Sequence, residues 1–133
     1  MNTPLDYNQI GNPVDTWWNA IHDEIEICLI LLGQFPPAPD AISASEYMPM
    51  VRRARQFVAG ERYPQKAEHI RLYLLESIDY LLASLAHQVE GDEVSTENAH
   101  DIAYHKFLMV IYHLLDRGIY EPKPGYDQQS ARR

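Results

Sequence analysis

PQKAEHIRLYLLESIDYLLASLAHQVE, residues 64–90, decides the fold. Ile70, Leu74, Ile78, Leu81, Leu82, Leu85 and Val89 recur at the three- and four-residue steps that place side chains on one face of an α-helix. Pro64 suits the first turn and Gly91 stops the run. At 1.5 Å per residue, about 26 residues make a rod roughly 39 Å long. Such a rod buries its stripe only against other helices, and the rest of the chain must supply them.

Working outward, the chain offers three further helices. Asn12-Pro13-Val14-Asp15 supplies a cap, a first-turn proline and an early carboxylate, and Trp18, Ile21, Ile25, Leu29 and Leu32 follow at helical spacing until Gly33. This predicts a helix over 13–33. Pro36, Pro37 and Pro39 then read as an extended linker. Ser43 with Glu46 fits a capping box, so a short second helix is expected over 45–60, firm only after Pro49, with Val51, Ala54 and Val58 inward. Asp92 to Asn98 reads as a polar loop. Ser95 or Thr96 then caps a fourth helix over 96–117, carried by Ala103, Phe107, Ile111 and Leu114. Gly118 and Ile119 suit a Schellman-type ending, and the tail 121–133 has nothing to bury. The expected fold is therefore all-α: one domain, an antiparallel four-helix bundle with mobile termini.

Composition narrows the functional classes. The 133 residues are 46% hydrophobic and 23% charged, the balance of a globular protein. A net charge of −8 repels phosphate backbones and anionic lipid, so neither nucleic-acid nor membrane binding is expected. The longest apolar run, Ile27 to Leu32, is far short of a membrane span, and Met1 to Gly11 lacks the marks of a signal peptide. Cys28 stands alone, which rules out an internal disulfide. A cytoplasmic location is the expectation.

Charge is distributed unevenly. The first 51 residues hold seven carboxylates and no Lys or Arg, and Arg52, Arg53 and Arg55 follow at once. Ile27, Ile30 and Leu31 lie off the main stripe of the first helix, as do Leu72, Leu75 and Tyr80 on the third and Met109 and Tyr112 on the fourth. Neighbouring Trp17 and Trp18 point about 100° apart, so one of them is expected outside the core. Clustered apolar surface rimmed by charge marks an interface. Trp17, Trp18, Glu24, Ile27, Ile30, Leu31, Arg52, Arg53 and Arg55 are the interface candidates, with Glu24 paired to one of the arginines. A homodimer or a dedicated protein partner is expected, and Trp17→Ala with Leu31→Asp is expected to disrupt it.

Catalytic motifs are sparse. No Gly-rich phosphate loop and no nucleophile elbow is present. Glu97 and His100 form one Glu-x-x-His pair, whereas a di-iron bundle needs two such pairs and two more glutamates. Glu76-Ser77-Ile78-Asp79 resembles, over about ten residues, one acidic motif of the all-α, MazG-like nucleotide pyrophosphohydrolases. That resemblance implies Mg²⁺ held by clustered carboxylates such as Glu24, Glu76 and Asp79. The companion Glu-Glu-x-x-Glu motif is missing, because Asp23-Glu24-Ile25-Glu26 has a different spacing. Arg62 and His69 resemble the Arg-x4–6-His motif of HEPN-type ribonucleases, but open the third helix where that family uses the last. No catalytic residue, metal or cofactor is therefore expected. Glu97, His100, Glu76 and Asp79 are the residues at which a metal would first be sought.

Overall fold

The structure, a computed structural model, describes residues 13–116. These form an all-α bundle with no strand among the described residues. Helices α1 (Pro13–His22) and α2 (Glu26–Leu32) make one rod, interrupted by a 3-10 turn at Asp23–Ile25. Helices α3 (Ala41–Gly60), α4 (Glu68–Val89) and α5 (Glu93–Asp116) are the other rods. The expected helix-end Gly118, the cap at Asn12 and the tail 121–133 lie outside the described residues.

Side-chain pairings fix an antiparallel order. Ser84 Oγ donates to the Thr96 carbonyl at 2.8 Å and Ser77 Oγ to the Ala103 carbonyl at 2.7 Å. Lys106 reaches Glu76 at 3.0 Å, and the Tyr73 ring lies 5.5 Å from that of His113. Partners on α5 thus descend as those on α4 rise. The same holds between α3 and α4, where Arg55 meets Asp79 and Arg71 donates to the Ala59 carbonyl at 3.0 Å. The first rod runs alongside α4, since α1 packs by Gln65–Ala67 and the Leu31 carbonyl meets His100 at 3.1 Å.

Helix ends explain two differences from the sequence reading. Asp40, not Ser43, caps α3: its carboxylate accepts from the Ser43 N–H at 2.7 Å. The second rod therefore has 20 residues and is not the short member. Pro49 sits inside it without stopping it; the carbonyl that loses its helical donor is that of Ser45, an exposed residue. Asp92 begins α5 rather than a loop. The Asp92 and Gly91 N–H groups bond the His87 and Gln88 carbonyls, a Schellman ending that Gly91 allows with φ of +79°. The Asp92 carboxylate then accepts from the Ser95 N–H at 3.0 Å as the cap of α5. One residue closes one helix and opens the next.

The core runs the length of the bundle, from Trp17, Ile21 and Ile25 through Val51 and Val58 to Ile70, Leu74, Ile78, Leu81 and Leu85. Linker 33–40 is pinned to it. Gln88 accepts from the Ala38 N–H at 3.2 Å and donates to its carbonyl at 2.6 Å, so the backbone of fully buried Ala38 is satisfied by one side chain. No helix among the described residues is long and apolar enough to cross a membrane.

Candidate interaction surface

Helix α5 packs chiefly on α4, with a smaller contact to α2. Thr96, Ala99, His100, Ala103, Val110 and Leu114 face inward. At 100° per residue the opposite side carries Val94, Ile102, His105, Leu108, Met109 and Tyr112, with Tyr104 at its edge. Val94, Ile102, Tyr104, Leu108, Met109 and Tyr112 are exposed, from 37% for Met109 to 69% for Val94. An exposed helix face in a small bundle is normally polar. This one is not.

Beside this stripe an open depression of about 620 Å³ is lined by Tyr73 of α4 and by Asp101, Ile102, His105, Lys106, Leu108 and Met109 of α5. Two polar contacts lie there, the first of them an ion pair only with the His105 ring protonated. Asp101 lies 3.4 Å from His105, and Lys106 pairs with Glu76, whose carboxylate holds the ammonium pKa above its ordinary value. Leu72 and Tyr80 on the solvent side of α4 are also exposed.

The structure redistributes the candidates on the first rod. Trp17 and Trp18 are both buried, at 0% and 5%, correcting the expectation that one lies outside the core. An apolar stripe about 100° wide is broad enough to take two neighbours at its two edges. Their rings sit 6.3 Å apart. Leu31 is buried as well, and Ile27 is half-buried against the core. Leu75, read as off-stripe, is also buried. Trp17→Ala with Leu31→Asp would therefore attack the core and would not probe a surface. Ile30 remains exposed at 53%.

Nor does the acidic segment pair with the arginines as expected. Arg55 reaches Asp79 instead, through Nε at 2.6 Å and Nη2 at 3.3 Å, and this hydrogen-bonded carboxylate raises the guanidinium pKa. Glu24, Arg52 and Arg53 are exposed, and none forms an ion pair among the described residues.

The residues considered for metal chemistry are kept apart. Glu76 and Asp79 each hold a cation, on opposite flanks of α4. A backbone carbonyl only accepts, so His100 Nε2 donates to Leu31 and the ring's lone pair lies on Nδ1. Glu97 is exposed on the wall of an open cavity of about 640 Å³, beside Phe35, whose ring is 5.3 Å from His100. Among the described residues no three His, Cys, Asp or Glu side chains come together as a metal site. Burial pushes the Cys28 thiol up to about 12, leaving no thiolate at neutral pH.

Met109 and Tyr112 were legible as surplus apolar residues. Val94, Ile102, Tyr104 and Leu108 were missed, because they scatter over the side of the helix opposite the Ala103–Leu114 stripe and show no single helical period. Comparison with protein-family models, with curated proteins and with solved structures finds no match for this chain.

Proposed function

We propose that this protein works by binding another protein, a second copy of itself or a dedicated partner, and not by catalysis. The observation that carries the reading is the row of six large apolar side chains on the solvent side of α5. Apolar surface costs free energy while wet, and contiguous patches of this kind belong to interfaces. Lys106 beside the row is paired with Glu76 within the chain, so covering it strands no lone cation. A cytoplasmic setting is part of the proposal.

The pyrophosphohydrolase reading draws no support from the geometry, because its carboxylates would have to converge and Glu76 and Asp79 are each engaged by a different cation. Light scattering across a wide dilution series separates the two. The interaction reading expects a mass above the 15.4 kDa of one chain that falls on dilution and needs no divalent ion. A constant single-chain mass, joined to Mg²⁺-dependent pyrophosphate release that Glu76→Gln abolishes, overturns it.

A further inference from the structure

We infer that two copies of this chain pair through the outward side of α5, antiparallel about a twofold axis at His105; this rests on the interaction reading above and names its surface and partner. Ile102, His105, Met109 and Tyr112 step by three, four and three residues, the spacing of the seam along which two helices pack side by side. Leu108 and Tyr104 widen that seam toward the first rod, and Ile102 and Met109 lean toward α4.

Area supports a second copy. The six exposed side chains present roughly 500 Å² of apolar surface, near the upper end for a lone protein. A twofold contact covers that surface on both copies, roughly 1,000 Å² in all, about the least that a specific interface buries.

Charge selects both the face and the direction. Between residues 13 and 116, sixteen carboxylates oppose seven Lys and Arg, so two copies repel over most of their surfaces. Contact through the exposed turn at Asp23 and Glu24 would bring carboxylates together, whereas residues 102–115 of α5 carry no carboxylate and their one lysine, Lys106, is already paired with Glu76. A parallel pairing would set Asp101 against Asp101. An antiparallel pairing about His105 sets Asp101 near Met109, Ile102 near Leu108, and Lys106 near Tyr104 of the other copy. Such a contact is isologous and closes at two chains.

Cysteine cross-linking on the full chain tests this, because native Cys28 is buried and silent. His105→Cys is expected to give a disulfide-linked dimer under mild oxidation, and Arg53→Cys on the exposed side of α3 is expected to give none. Leu108→Asp, a change at an exposed position, is expected to return the mass to 15.4 kDa with the helical circular dichroism unchanged. A larger mass that survives Leu108→Asp, with no His105→Cys cross-link, moves the contact to another face and overturns this inference while leaving the interaction reading intact. A mass of one chain at every concentration, with no cross-link, overturns self-pairing altogether.

Discussion

Helices α2 and α5 both carry apolar residues around most of their circumference, yet the bundle treats them in opposite ways. In α2, Cys28, Leu31 and Leu32 are buried, Ile27 and Leu29 are half-buried, and only Glu26 and Ile30 stand exposed. The 3-10 turn at Asp23–Ile25 lets α1 and α2 each meet the core, and α3, α4 and α5 all touch α2. Among the described residues helix α5 packs chiefly on α4, and large apolar residues on its outward side are exposed. Surplus apolar residues therefore do not mark an interface by themselves. The number of neighbours a helix has decides which surplus is absorbed and which is left over.

The sharpest break of this comparison is a pair of truncations. Trp17→Ala on the first rod should cost about 3–5 kcal/mol in urea unfolding, since it empties a fully buried site. Leu108→Asp on α5 should change that unfolding by less than about 0.5 kcal/mol when measured on the dilute single chain. Equal effects would show that the two helices are not treated differently. The packed side of α5 is probed next. Ser84→Ala removes the buried hydroxyl that donates to the Thr96 carbonyl, and should cost about 1 kcal/mol by the same measurement.

Caps give a pH-dependent contrast. The Ser43 and Ser95 N–H groups hold the Asp40 and Asp92 carboxyls below the usual carboxylate range. A folded-state pKa depressed below the unfolded value of about 3.9 contributes stability that is present above that value. It is lost as pH falls through the folded-state pKa. Asn caps nearly as well as Asp but does not titrate there. Asp40→Asn with Asp92→Asn should leave thermal stability at neutral pH nearly unchanged and flatten its decline in acid; an unchanged acid limb would show that these caps do not contribute to it. The smallest effect is expected between α3 and α4. A double-mutant cycle on Arg55 and Asp79, both partly exposed, should give a coupling below about 1 kcal/mol that shrinks with added salt.

Much of the architecture was legible because helical periodicity is a local property. Ile70 to Val89 announced α4, and the direction of Val51, Ala54 and Val58 on α3 was correct. Errors fell where one residue serves two structures or hides beside stronger punctuation. Asp40 stands behind three prolines that read as linker, and Asp92 opens the polar stretch 92–98 that reads as a loop. The broken first rod carries no Pro or Gly at Asp23–Ile25 to announce the 3-10 turn.

By itself, the order of residues determined four amphipathic segments and an acidic body, since both are written in spacing and composition. Only the packed molecule decided that Trp17, Trp18 and Leu31 go inside, that Arg55 chooses Asp79 over Glu24, and that α5 keeps an oily outer side. The reason is that burial depends on how many helices surround a given face. That number is set by contacts between residues far apart in the chain, which no local pattern encodes.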